Sequence, residues 1–94
     1  MKITELKIGK IYTYRGDANL AVYATPEMFN TKKVGRIYPM DNIVVLATIR
    51  EFAYCWIQVL SANGIVGWFV WNTDGRAPQD VDRYFIEEIT SQYA

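Results

Sequence analysis

The chain has 94 residues, of which 51% are hydrophobic and 21% charged, and its ten basic residues balance its ten acidic ones. This composition is typical of one folded globular domain, and it excludes a disordered chain. A net charge of zero excludes an overall field that would attract nucleic acid or an anionic membrane surface.

The N-terminal segment predicts neither a signal peptide nor a membrane span. Lys7 and Lys10 interrupt its apolar residues before the apolar run of about 7 to 15 residues that a signal peptide needs. No other stretch approaches the roughly 20 apolar residues that cross a bilayer. We therefore expect a cytoplasmic or virion-associated protein.

The first half of the chain reads as short strands separated by turns. Residues 6–14 and 20–24 are rich in β-forming residues, and the loop at 15–19 between them holds Gly, Asp and Asn. Residues 25–33 predict an exposed excursion, and residues 34–38 bring the chain back. The strongest strand signal follows at residues 43–49, which are apolar on both faces, as expected for a central strand.

A hairpin is predicted next. Ile57 and Val59 alternate with polar and aromatic residues and should point inward, while Asn63-Gly64 suits the tight turn before the return strand. Gly67 in that return strand marks a bulge or a close approach of another backbone. Both faces of this strand are aromatic or β-branched, so we expect something outside the barrel to cover one of them.

The C-terminal segment has the pattern of an amphipathic helix. Residues on one helical stripe are apolar, with Asp80 as the N-cap; the stripe consists of Val81, Tyr84, Phe85 and Ile89. We predict an all-β protein, a small antiparallel barrel of about five strands at residues 1–75. One C-terminal α-helix at residues 76–94 would pack on its outer aromatics, giving a single domain overall.

Three stretches resemble the bacterial SH3 domain: NLAVYATP, VGRIYPMDNIVVL and WIQVLSANGIVGWF, within about residues 11–72. Trp56 and Val59 match the Trp-x-x-Val pair of that family, Gly64 its hairpin glycine, and Gly67-Trp68 its closing Gly-Trp. The resemblance implies an SH3-like barrel and a non-catalytic binding module. Members of the family bind cell-wall peptide or other proteins.

The chain also departs from the pattern of the family. Ala21 and Tyr23 stand where the first family strand usually has asparagine and arginine, and Asp41 stands where a glycine is common. The first departure removes polar groups that line some ligand grooves of the family. The resemblance therefore implies the fold more strongly than it implies a particular ligand.

Catalysis, a metal and a cofactor are not expected. The chain has no histidine, the usual base that activates a thiol, and its only cysteine, Cys55, lies in an apolar strand. One cysteine also excludes an internal disulfide and a cysteine-based zinc site. Gly75 directly follows Asp74, so the register of an EF-hand calcium loop fails. No basic run exceeds two residues, so nucleic-acid binding is not expected either.

The candidate site is an aromatic groove between the first loop, residues 15–19, and the loop before Trp56. The predicted ligand-binding residues are Tyr14, Asp17, Arg50, Tyr54, Trp56 and Trp68. Aromatic anchors of this kind dominate the energetics of protein interfaces, so we predict a protein partner. Peptidoglycan peptide and a self-assembling structural subunit are the alternatives. The oligomeric state, and whether Trp56 belongs to the groove or to the core, are left open by the sequence.

Overall fold

The computed structural model describes residues 1–88, which fold into one antiparallel sheet of seven strands. The strands are β1 Ile11–Tyr14, β2 Leu20–Tyr23, β3 Lys33–Ile37, β4 Asn42–Arg50, β5 Tyr54–Ser61, β6 Val66–Asn72 and β7 Phe85–Glu87. Their order across the sheet is β3-β2-β6-β5-β4-β1-β7, and the sheet curls into a half-barrel. A 3-10 turn at Ile3–Glu5 precedes β1. Within this part of the chain, no helix is long and apolar enough to span a membrane.

The central hairpin forms as its sequence predicts. Ile57 and Val59 are completely buried, and Ile57 lies opposite Phe69 across the β5–β6 pair. The turn places Gly64 at φ +79°, and its N–H donates to the carbonyl of Ser61 at 3.0 Å. A positive φ is readily available to glycine, which explains the Asn63-Gly64 pair at this position.

The predicted C-terminal helix is wrong for the described residues. The N–H groups of Tyr84 and Phe85 both donate to the carbonyl of Val81 at 2.9 Å, which makes a single turn. The chain then extends as β7 and pairs with β1, placing Phe85 opposite Tyr14. One turn satisfies the spacing of the apolar stripe, and pairing then satisfies the backbone groups along the open side of β1. Residues 89–94, including Ile89, lie outside the described residues.

The strand β7 also accounts for part of the error in strand number, since about five strands were predicted and seven form. The apolar residues of the C-terminal segment are nevertheless buried, as the stripe indicated. Val81 and Phe85 belong to the main core, and Phe85 stacks on Phe69 with ring centroids 5.7 Å apart. The core therefore occupies the concave side of the half-barrel, closed at one edge by β7.

Candidate functional site

The strands β5 and β6 carry apolar residues on both faces of the sheet. The inner face supplies Ile57, Val59 and Phe69 to the core. Because side chains alternate along a strand, Trp56 and Trp68 project from the opposite, outer face. The structure thus has an outer face whose aromatic residues lie outside the main core cluster.

Trp56 lies at the centre of an aromatic group on the outer face, made of Tyr23, Tyr54 and Trp56, which we call the outer aromatic cluster. The Trp56 ring meets Tyr23 at 6.4 Å and 81°, and Tyr54 at 6.3 Å and 89°, both edge to face. Such pairs contribute about 0.5–1.5 kcal/mol each beyond area burial. Trp56 is only 1% exposed, so it supports the surface from beneath and does not itself line a groove.

The outer positions of β4, β5 and β6 hold no charged residue. The outer side chains are Val44, Ala47, Ile49, Tyr54, Trp56, Gln58, Leu60, Val66, Trp68, Val70 and Asn72. Among them Ile49 is 38% and Val66 51% exposed. Solvent-facing sides of antiparallel sheets ordinarily carry polar residues, so this face is unusually apolar for a surface.

Basic residues border this apolar face on the side of β3. Lys33 lies opposite Tyr23, and Arg36 lies opposite Ala21, in the β2–β3 pair. Both basic residues are exposed, and neither forms an ion pair with another residue in the range 1–88. Their charges are therefore not neutralised by a carboxylate of the described residues.

The predicted site residues divide into two groups that the structure keeps apart. Tyr54, Trp56 and Trp68 lie on the outer face, Trp68 next to Tyr23 in the sheet. Tyr14 points into the half-barrel, where its ring contacts Phe85 at 5.5 Å. Its hydroxyl donates to the carbonyl of Ala18 at 2.5 Å, in the same loop as Asp17.

Tyr14 and Trp56 lie toward opposite ends of β4 and on opposite faces of the sheet. The strand β1 pairs with the start of β4 at Asn42, whereas Trp56 lies opposite Ile49 near its end. Seven residue steps of about 3.3 Å separate these two points by about 23 Å along the strand. A binding role for Tyr14 and Asp17 stays a prediction.

Arg50 and Glu51, at the β4–β5 loop, are associated with different faces of the sheet. Arg50 lies opposite Cys55, whose side chain belongs to the inner face, and the Arg50 charge acts to lower the pKa of that thiol. The charge of Glu51, in contrast, raises the pKa of Tyr54 on the outer face. Of these two charged residues, only Glu51 borders the outer aromatic cluster.

The exposed aliphatic part of the outer face was not predicted from the sequence. Ile49 and Val66 were assigned to strands but not to the site, because an aliphatic residue in a strand usually belongs to a core. The available signal was the segment at residues 43–49, apolar on both faces. A half-barrel has only one interior, so one of those faces had to remain outside it.

No reactive nucleophile or metal cluster is evident in the described part of the chain. The thiol of Cys55 is completely buried, and burial raises its pKa more than the Arg50 charge lowers it. The thiolate needed for nucleophilic attack is thereby disfavoured. Residues 1–88 also contain no group of three His, Cys, Asp or Glu side chains arranged to hold a metal ion.

Comparison of the chain with protein-family models, curated proteins and solved structures gives no match. The resemblance to the bacterial SH3 domain therefore stays an interpretation of the residues.

Proposed function

We propose that this all-β chain is a non-catalytic protein-interaction module whose partner packs on the outer face of β4, β5 and β6. The observation that carries the proposal is the absence of charge at the outer positions of these three strands. Contiguous exposed apolar surface is uncommon on monomeric proteins and marks interaction sites. Ile49 and Val66 are the exposed apolar side chains that such a partner would cover.

The borders of the face indicate the chemistry of the partner. An apolar segment would pack over Val66 and Trp68, and carboxylates beside it would meet Lys33 and Arg36 on β3. Rim charges of this kind steer association and set orientation more than they add affinity. The proposed partner is accordingly an apolar protein segment flanked by acidic residues.

The outer aromatic cluster would make this surface rigid before binding. Trp56 is held between the edges of Tyr23 and Tyr54, and all three residues lie on hydrogen-bonded strands. A surface that is already ordered loses little conformational entropy on binding. Trp56 therefore acts as a support for the neighbouring side chains and not as a direct contact.

The test compares Val66→Lys with Ile8→Lys, since Ile8 is an even more exposed aliphatic residue, in the turn before β1. Partners captured from lysate of the source organism would be identified, purified and titrated by calorimetry against each variant, after circular dichroism shows that the variants fold. We expect Val66→Lys to weaken binding by about tenfold or more. Ile8→Lys should bind like the wild type.

Equal affinity of Val66→Lys and the wild type for the purified partner would overturn the proposal. Light scattering on the purified chain adds a second outcome. A dimer that Val66→Lys dissociates would show that the face binds a copy of the same chain and not another protein.

A further inference from the structure

We propose that a cavity at the end of β4 binds a carboxylate attached to a flat apolar group, independently of any partner on the outer face. The cavity has a volume of about 160 Å³. Three separate segments form its walls: the N-terminal turn, the β4–β5 loop and the chain that follows β6. The residues that line the cavity include Lys2, Arg50, Phe52, Trp71, Thr73 and Gln79.

Hydrogen bonds hold two of these segments, the β4–β5 loop and the chain that follows β6, in place. The N–H of Thr73 donates to the carbonyl of Ala53 at 2.9 Å, joining the chain after β6 to the β4–β5 loop. The indole Nε1 of Trp71 donates to the carbonyl of Pro78 at 3.0 Å, which holds the chain after β6 against the end of that strand. The cavity is therefore formed before a ligand arrives, which lowers the entropic cost of binding.

Two cations line the cavity, and no acidic residue does. Lys2 and Arg50 form no ion pair with other residues of the described chain. Both charges are available to an anion, and a guanidinium can hold a carboxylate through two parallel hydrogen bonds.

Three carboxylates from the segments around the cavity are engaged elsewhere. Asp74 pairs with the guanidinium of Arg76 at 3.2 Å, and Asp80 pairs with the N-terminal ammonium at 3.1 Å. The carboxylate of Glu5 accepts the backbone N–H of Lys2 at 2.7 Å. Arg50 lies opposite Cys55, which in turn pairs with Trp71, so the guanidinium and the indole come from the same part of the sheet.

Two aromatic side chains in a largely polar lining, together with the volume, define the rest of the ligand. Phe52 is fully exposed at the rim, and the largely buried Trp71 forms part of the base. An engineered protein cavity of about 150 Å³ is large enough to bind benzene. An aromatic carboxylate of this size could be a free small molecule or the C-terminal residue of a peptide.

The experiment follows the Trp71 indole N–H by NMR while benzoate is added to the full chain. Benzyl alcohol supplies the ring without the charge, and acetate supplies the charge without the ring. We expect benzoate to give a saturable shift, with the two controls binding at least about tenfold more weakly. The affinity for benzoate should also fall as sodium chloride is raised.

Matched variants locate the site. Arg50→Gln and Phe52→Ala should each weaken benzoate binding, while Arg36→Gln on β3 and Phe29→Ala in the β2–β3 loop should not. Phe52 and Phe29 are both highly exposed, so neither alanine variant should disturb the fold. If benzyl alcohol binds as well as benzoate, or if no ligand shifts the Trp71 indole, the anion site is refuted.

A last comparison distinguishes the two sources of the ligand. N-acetylphenylalanine reproduces a peptide C-terminus. The control compound N-acetylphenylalanine amide, in which the carboxylate is replaced by a carboxamide, lacks only the charge. Tighter binding of N-acetylphenylalanine than of benzoate would assign the cavity to a peptide terminus. The reverse order would assign it to a free aromatic acid.

Discussion

Replacing Gly67 with alanine tests how closely β6 approaches β2. A Cβ at this position would lie 2.5 Å from Cγ1 of Val22 and 2.8 Å from the backbone oxygen of Tyr23. Gly67 does not have a positive φ, so the added methyl group would meet no conformational penalty. The whole effect should therefore come from the steric contacts.

The magnitude follows from two opposing effects. Overpacking a tight site costs about 1–3 kcal/mol, and a backbone oxygen moves less easily than a side chain. Reduced entropy of the unfolded chain offsets about 0.4–1 kcal/mol of this cost. We expect a net loss of about 1–2 kcal/mol in the free energy of unfolding, which lowers Tm by about 4–16 °C in a domain of this size.

Gly35→Ala is the matched control. Its Cβ would lie 2.8 Å from Cδ1 of Ile65, the mobile end of a side chain. Rotation of that side chain should relieve the contact, so we expect stability within about 0.5 kcal/mol of the wild type. Thermal and urea unfolding followed by circular dichroism measure both variants. Equal stability of Gly67→Ala and the wild type, or equal damage by the two substitutions, would refute the reasoning.

Three further predictions concern the two faces of the sheet. Phe85→Ala should lower the free energy of unfolding in urea by about 3–5 kcal/mol, because the ring is buried against Tyr14, Phe69 and Trp71. The control is Ile86→Ala, at an exposed position of the same strand, and an equal loss in the two variants would contradict this prediction. Trp56→Ala should cost a similar amount since Trp56 is almost fully buried, and a variant of native stability would show that the outer aromatic cluster is not a packing unit. Burial raises the pKa values of Cys55 and Tyr14 above their ordinary values of 9.0 and 10.0, so the folded chain keeps protons that the unfolded chain releases. The free energy of unfolding should therefore be highest below about pH 9 and fall as pH rises through the raised pKa values. The urea midpoint is measured at pH 7 and pH 10.5; Cys55→Ala should reduce the fall, and an unchanged midpoint would refute the prediction.

The strand pattern was predictable because the information is local. Ile57 and Val59 point inward as their alternation indicates, since successive side chains of a strand always face opposite sides. The turn at Asn63-Gly64 and the close approach at Gly67 were also predictable, because each depends on a property of glycine itself. The all-β class and the hairpin therefore follow from the residues alone.

The candidate site was predictable only in part. Tyr54, Trp56 and Trp68 share the outer face because they occupy alternate positions on two strands of one hairpin. Tyr14 and Asp17 were placed beside them without knowledge of the register between β1 and β4. That register depends on contacts between residues about 30 positions apart, which no local pattern reveals.

The sequence by itself determined the all-β class, where the central hairpin turns and which side chains of that hairpin face the core. Only the tertiary structure decided that residues 85–87 become β7, because one helical turn and a short strand both satisfy the spacing of Val81, Tyr84 and Phe85. The open side of β1 resolved that choice by offering backbone partners. The tertiary structure also decided that Trp56 is buried on the outer face, because this burial depends on the rings of Tyr23 and Tyr54 that packing brings against the indole.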